Sequence, residues 1–157
     1  MIGLVLFTTI SIIISTILTF GTYRTFIVQT SPKQASFLQG KIPLKAPDGV
    51  YKGSVGALKT SWVGKEFNAK DSSGINNFKS NGQISKNYPF KTYTGQGIQD
   101  KNKEVLKIDY NLPTNPIWLR FILDEIVEVK PNTFLGKLHI KLFPGVAFSL
   151  GYFSLEK

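Results

Sequence analysis

The hydrophobic pattern divides the chain into two unlike parts. From Ile2 to Phe20, nineteen residues pass without a charge, and the first charged side chain is Arg24. No polar stripe interrupts this run, so it presents no face suited to water. At ~1.5 Å of rise per residue, a helix of ~20 residues spans the ~30 Å hydrocarbon core of a bilayer. Its threonines and serines do not oppose a helix, because a helical hydroxyl can bond back to a carbonyl one turn earlier. The run lacks the basic residues that open a secretory signal, and Thr19, Phe20 and Gly21 make a poor cleavage site. Residues 1–23 therefore read as an uncleaved transmembrane anchor, with a cleaved signal peptide and a buried core helix as the alternatives.

From residue 50 onward the period changes to two. Short segments rich in β-branched and aromatic residues alternate with turn signals. Strands are expected near 50–57, 60–68, 74–79, 88–95, 104–110, 122–129, 133–142 and 147–155. The turns between them include Ser80-Asn81-Gly82, Pro131-Asn132 and Pro144-Gly145. Asn115 followed by Pro116 suits a helix start, so one helical turn is expected over 116–121. Residues 24–49 carry three prolines and no sustained period, and read as a linker, solvated or lying along the bilayer surface. The expected domains are thus 1–23, 24–49 and 50–157.

Thr133 to Leu142 alternate most clearly. Phe134, Gly136, Leu138, Ile140 and Leu142 share one face; Leu135, Lys137, His139 and Lys141 share the other. Period two turns the first set inward and the second toward solvent, which argues against a catalytic role for His139. Phe148, Leu150 and Tyr152 alternate with Ser149, Gly151 and Phe153; the alternation does not say which set points in. Eight or so short antiparallel strands in this length fit a closed barrel or a sandwich, and a barrel can hold one small ligand.

Composition narrows the chemistry. The chain has 157 residues, no cysteine and a single histidine, which excludes disulfides, thiolate sites and a multi-histidine zinc site. The net charge of +9 is spread widely: Lys33 to Lys107 carries thirteen lysines against five acids, without the dense run of a nucleic-acid arm. Beside a membrane span, lysines more naturally meet anionic lipid. No phosphate-cradling loop, dinucleotide fingerprint, nucleophile elbow or calcium loop is present, so no cofactor or metal is expected and nucleic acid is not a partner.

The segment Trp62-Val63-Gly64-Lys65-Glu66-Phe67 resembles the tryptophan-glycine signature of a lipocalin-like bacterial family, the GxWxG proteins, with Thr60 in place of the family's first glycine. Phe121 to Val129, a Pro-Asn-Thr turn and Phe134 to Lys137 look like the strand-turn-strand near the end of such domains. The resemblance implies a small calycin-like antiparallel β-barrel of about 8 strands, mainly β, with its ligand unassigned. In such folds an early tryptophan plugs one end, the role it implies for Trp62. Independently of it, Gly64 suits close backbone packing or a bulge.

Three groups of side chains are candidates for chemistry. Asp124, Ile126 and Glu128 alternate with Leu123, Glu125, Val127 and Val129. The second set looks like the core face, which would bury Glu125 and require a partner. Arg120, Tyr93, Tyr110 and Tyr152 are the candidate partners. Aromatics also concentrate beside basic groups at Tyr88 to Tyr93 and Trp118 to Phe121.

The leading expectation is a single-pass, membrane-anchored barrel that binds a lipid, fatty acid or isoprenoid. Residues 2–20 would contact the bilayer. Trp62, Phe90, Tyr93, Tyr110, Trp118 and Tyr152 would line the pocket, with Arg120 meeting an acidic head group. The alternatives are an isomerase or hydrolase using Glu125 or Asp124 with Tyr110 as acid and base, or a ligand-free assembly module. Arg24 and Lys33 follow the span, which favours the domain on the cytoplasmic side.

Overall fold

The computed structural model describes residues 2–143 and 145–157; Met1 of the expected anchor and Pro144 of the expected Pro144-Gly145 turn lie outside them. Among the described residues, eight strands form a closed antiparallel barrel: β1 (Gly49–Ser54), β2 (Trp62–Asn68), β3 (Ser73–Ser80), β4 (Gln83–Gln96), β5 (Glu104–Asp109), β6 (Ile122–Lys130), β7 (Thr133–Phe143) and β8 (Val146–Glu156). Each strand pairs with the next. The barrel closes where Gly53 of β1 meets Leu155 of β8. Closure removes exposed sheet edges.

The up-and-down order sorts the connections by end. The β1–β2, β3–β4, β5–β6 and β7–β8 connections share one end of the barrel; β2–β3, β4–β5 and β6–β7 share the other. The expected turn at 116–121 is a short 3-10 segment, Leu119–Phe121. Asn115 is not its cap: the Asn115 amide donates to the Pro89 and Tyr110 carbonyls and ties the β5–β6 connection to the barrel.

Helix α1 (Ile2–Gln29) is continuous, and its Val5–Gln29 portion is long and apolar enough to cross a membrane. The hydroxyls of Thr9 and Thr16 donate to Val5 and Ile12 carbonyls one turn back, at 2.9 and 2.8 Å. Side chains from Val5 to Phe20 are exposed all round. Beyond them the helix docks on β8. Gly21 lies against the Phe148 ring, Thr25 accepts the Ser149 N–H, Arg24 donates to the Leu150 carbonyl, and Val28 packs with Tyr152. Helix and strand therefore run in the same direction. The exposed part of α1 projects past the end of the barrel that carries the β7–β8 connection.

The segment expected as a linker is largely structured. α1 continues to Gln29, and α2 (Pro32–Gln39) follows, with Pro32 in the first turn as proline favours. Phe37 of α2 is fully buried, and Lys41 exchanges backbone bonds with Glu128 of β6. These helices cover the outside of β5 to β8. Val28, Phe37, Val105, Val127, Leu135 and Tyr152 form an outer core there, separate from the barrel interior.

That outer layer corrects the expected solvent face of β7. Lys137 and His139 do point out of the barrel, as period two requires, but both are fully buried under the helices. Lys137 bonds Gln34 and Asp100, and its ammonium lies 4.3 Å from the Phe37 ring centre. The two faces of β6, which the alternation leaves open between Asp124 and Glu125, are resolved too, against the expectation that Glu125 faces the core. Asp124 and Ile126 point into the barrel, while Glu125 and Val127 belong to the buried outer layer. Both faces of β6 are dry, so hydrophobicity alone does not distinguish them.

Candidate functional site

One end of the barrel is filled and the other is hollow. Tyr51, Phe67, Phe90, Ile126, Phe134 and Leu155 pack the filled part. Above them lies a cavity of about 480 Å³, within the roughly 300–1,000 Å³ usual for small-molecule sites. Apolar groups dominate its wall, among them Val55, Phe78, Tyr88, Trp118, Ile122 and Leu138. With Trp62 at the start of β2, the lining comes from the end of β3, the start of β6, inner positions of β4, β7 and β8, and the β1–β2 and β5–β6 connections. The hollow end is thus the one toward which α1 projects.

A buried polar cluster forms the base. Lys65 of β2 is 2% exposed, and its ammonium pairs with Asp124 Oδ2 of β6 at 3.0 Å. It also donates to Asn76 Oδ1 of β3 at 2.9 Å and to the Tyr110 hydroxyl. Tyr110 donates to Asp124 Oδ2 at 3.0 Å, and Trp62 Nε1 donates to Asn76 Oδ1 at 2.9 Å. The rings of Trp62, Phe90, Tyr110 and Phe153 surround the ammonium at 5.1 to 5.4 Å, a cation–π cage.

Burial disfavours charge here. It pushes the Lys65 ammonium below the ordinary lysine pKa, and Asp124 opposes that shift. Burial and the Asp124 carboxylate together hold the Tyr110 hydroxyl well above the usual tyrosine value, so it stays a donor. An ammonium has three N–H donors, and Asp124, Asn76 and Tyr110 account for all three. Asp124 Oδ1 is left buried with no hydrogen-bond partner among the described residues. The spare capacity of the cluster is therefore an acceptor.

Local backbone features aim these groups. Gly64 has φ +141°, and a Cβ there would lie 2.0 Å from the Tyr51 carbonyl oxygen. This close approach, at a register shift between Trp62 and Gly64, sets the turn of the strand that carries Lys65 inward. On β4, Tyr88 has φ +60°, a strained conformation for a bulky residue, at a second register shift. Its ring stacks edge-on against both Phe78 and Trp118.

The expected site residues separate clearly. Trp62, Tyr110 and Trp118 line the cavity. Tyr152 contributes to the wall, but its ring packs on Phe37 and its hydroxyl bonds Gln34, on the outer face. Phe90 lies below the cavity against Phe67 and Tyr110. Tyr93 is exposed on the outside; partial burial and the neighbouring Asp109 push its hydroxyl up to about 12. Arg120 is absent from the lining, because its guanidinium donates to the Asn115 and Pro113 carbonyls. The cation at the cavity is Lys65.

Of the three acid/base candidates, Asp124 and Tyr110 meet at the base, and Glu125 does not. Glu125 accepts the Ile98 N–H at 2.7 Å and lies 3.2 Å from His139 Nε2 and 3.6 Å from Lys107, outside the barrel wall. Lys65 and Asn76 carry the only sequence signal that period two offers: each shares a face with an aromatic two residues away, Phe67 and Phe78. Among the described residues, no group of three or more His, Asp or Glu side chains gathers as a metal site.

No protein-family model, curated protein or solved structure matches the chain.

Proposed function

We propose that this protein is a membrane-anchored, lipocalin-like barrel that binds a hydrophobic or amphipathic small molecule. The observation that carries the reading is the apolar cavity closed at its base by a buried lysine–aspartate–tyrosine–asparagine cluster. Trp62 beside Gly64 supports the kinship with GxWxG-type barrels. The length and apolar character of α1 support the anchor. Arg24 and Lys33 favour a cytoplasmic barrel.

The base of the cavity also selects the head group. A carboxylate would bring only acceptors to a cluster whose donors are already engaged. A hydroxyl would supply the donor that Asp124 Oδ1 lacks once that side chain turns the buried oxygen toward the cavity it lines. The ligand class is therefore a long apolar body ending in a neutral hydroxyl, as in a fatty or isoprenoid alcohol or an acylglycerol.

The test uses full-length protein extracted with a lipid-retaining polymer, followed by mass spectrometry of co-purifying molecules. One lipophile at near one-to-one stoichiometry supports the reading. Bulk bilayer lipid alone, with no saturable uptake of a fluorescent lipid probe, overturns it. Competition by dodecanol, dodecanoic acid and methyl dodecanoate then tests the head group, and dodecanol is expected to compete best.

A second reading keeps the same site and adds chemistry. Tyr110 and Asp124 share a hydrogen bond at the cavity base, the arrangement needed for proton transfer to a lipophilic substrate. Turnover that Tyr110→Phe abolishes, with ligand uptake intact, would favour it.

A further inference from the structure

The two ends of the barrel differ in character. At the filled end the connections themselves are polar and exposed, with Lys70, Asp71 and Ser72, Lys101 and Asn102, and Asn132. The exposed apolar side chains there are Leu44 and Val50 at the lead-in to β1 and Val129 at the end of β6, not a set carried by every connection. At the hollow end every connection presents large apolar side chains to the outside. Leu58 lies in β1–β2, Ile84 beside β3–β4, Ile117, Trp118 and Phe121 around β5–β6, and Phe143 beside β7–β8. Ile117 is 72% exposed and Phe143 68%. Scattered single apolar residues on a surface need no explanation, but a ring of them around one opening does.

The direction of α1 identifies what meets this ring. Residues Gly21 to Val28 follow β8 from Phe148 to Tyr152, so the exposed apolar part of the helix leaves the barrel on the ring's side. Arg24 and Thr25 bond directly to the β8 backbone, leaving no flexible tether between helix and barrel. A bilayer that holds the helix therefore faces the hollow end. Lys59 and Lys79 are exposed near the ring, placed for anionic head groups.

We infer that the hollow end of the barrel is a second membrane-contact surface, with the ring of apolar side chains set into the bilayer interface and the cavity mouth opening on the lipid. Aromatic and aliphatic side chains beside lysines are the composition that interfacial anchoring uses. A hydrophobic ligand would then pass between bilayer and cavity without crossing water. The contact itself does not depend on any ligand; it depends on α1 being inserted, which the test reads separately.

The natural chain has no cysteine, so one nitroxide-labelled cysteine reports one site. Full-length protein is reconstituted in nanodiscs of phosphatidylcholine and phosphatidylglycerol. Labels are placed at Ile84→Cys, Ile117→Cys or Phe143→Cys on the ring, at Lys70→Cys or Asn132→Cys on the far end, and at Ile12→Cys in the helix. The ring labels are expected to be several-fold more accessible to oxygen than to a water-soluble nickel chelate, and the far-end labels the reverse. Ile117→Asp with Phe143→Asp is expected to move the Ile84→Cys label toward the chelate while the Ile12→Cys label stays in lipid. Ring labels as open to the chelate as the far end would overturn the inference. So would ring labels shielded from both reagents, which would mean that a protein partner or second copy covers the ring. A helix label in water would instead remove the anchor reading.

Discussion

Asp124 and Glu125 are adjacent in the chain and serve opposite sides of one barrel wall. Asp124 turns inward to Lys65 and Tyr110 at the base of the cavity. Glu125 turns outward to the Ile98 N–H, His139 and Lys107 in the layer beneath the helices. Period two makes this division unavoidable. It separates a carboxylate at the base of the cavity from one that ties β6 to the β4–β5 connection, β5 and β7 on the outer face. Glu125→Gln is therefore expected to lower thermal stability and leave ligand affinity unchanged, while Asp124→Asn changes the preference between dodecanol and dodecanoic acid. Equal effects of the two on binding would contradict the division.

Lys65 and Asp124 are each 2% exposed, so each makes the other's charge tolerable. Lys65→Met leaves an uncompensated buried carboxylate and is expected to cost about 3–5 kcal/mol. Combining it with Asp124→Leu should restore much of that loss, because the pair is then replaced by apolar groups. Denaturant unfolding of the three variants in one detergent reads the coupling. A double variant no more stable than Lys65→Met would show that the two charges are not coupled.

Alkaline stability should follow Tyr110. Its pKa is raised in the folded protein, so its contribution is intact below the unfolded value near ~10 and is lost as pH rises further. Lys65 acts in the opposite sense. With a lowered folded pKa, its penalty is relieved as pH climbs toward the ordinary lysine value near ~10.4. Above that range only the tyrosine loss continues. Tyr110→Phe is expected to flatten the fall of Tm between about pH 10 and 11.5, relative to the natural protein.

Gly64 is held by space as much as by conformation. A Cβ would lie 2.0 Å from the Tyr51 carbonyl oxygen, at a φ that side chains resist. Gly64→Ala should cost about 3 kcal/mol, from strain and overpacking combined. Gly56 also has positive φ but has nothing within 4 Å, so Gly56→Ala should cost far less. Comparable losses at both positions would mean that crowding at Gly64 contributes nothing.

Helix docking depends on Gly21, whose added Cβ would fall 2.3 Å from the Phe148 ring. Gly21→Leu is expected to loosen α1 from β8 at a cost of about 1–3 kcal/mol. Hydrogen exchange at Ser149, whose N–H donates to Thr25, should accelerate, with no change in the membrane-bound fraction. Unchanged exchange there would show that the Gly21 contact does not hold the helix.

The strands were readable because each depends on its own neighbours. Phe134, Gly136, Leu138 and Ile140 announce the inward face of β7, and Asn81-Gly82 and Pro131-Asn132 mark turns. Lys137 and His139 show where such reading ends. Their outward direction follows from alternation, but their burial depends on the helices, about a hundred residues earlier in the chain: Phe37 lies on the Lys137 ammonium, and His139 bonds Ser149, whose N–H donates to Thr25. The site follows the same division. Trp62, Tyr110 and Trp118 stand out as aromatics, whereas Arg120 looks like the natural head-group partner until its guanidinium is found on backbone carbonyls.

The sequence by itself therefore determined the apolar N-terminal helix, the strands and most of their turns. These are set by composition and by periods of 3.6 and 2 over a few residues. Tertiary structure alone decided which face of β6 is the interior, that Lys65 and not Arg120 lies at the cavity wall, and that two dry layers exist instead of one. The physical reason is that a buried charge is defined by the partners that surround it. Asn76 is the cross-strand neighbour of Lys65 in the β2–β3 pair, whereas Tyr110 and Asp124 come from the opposite side of the barrel, and only closure of the sheet brings those two within hydrogen-bonding distance of it.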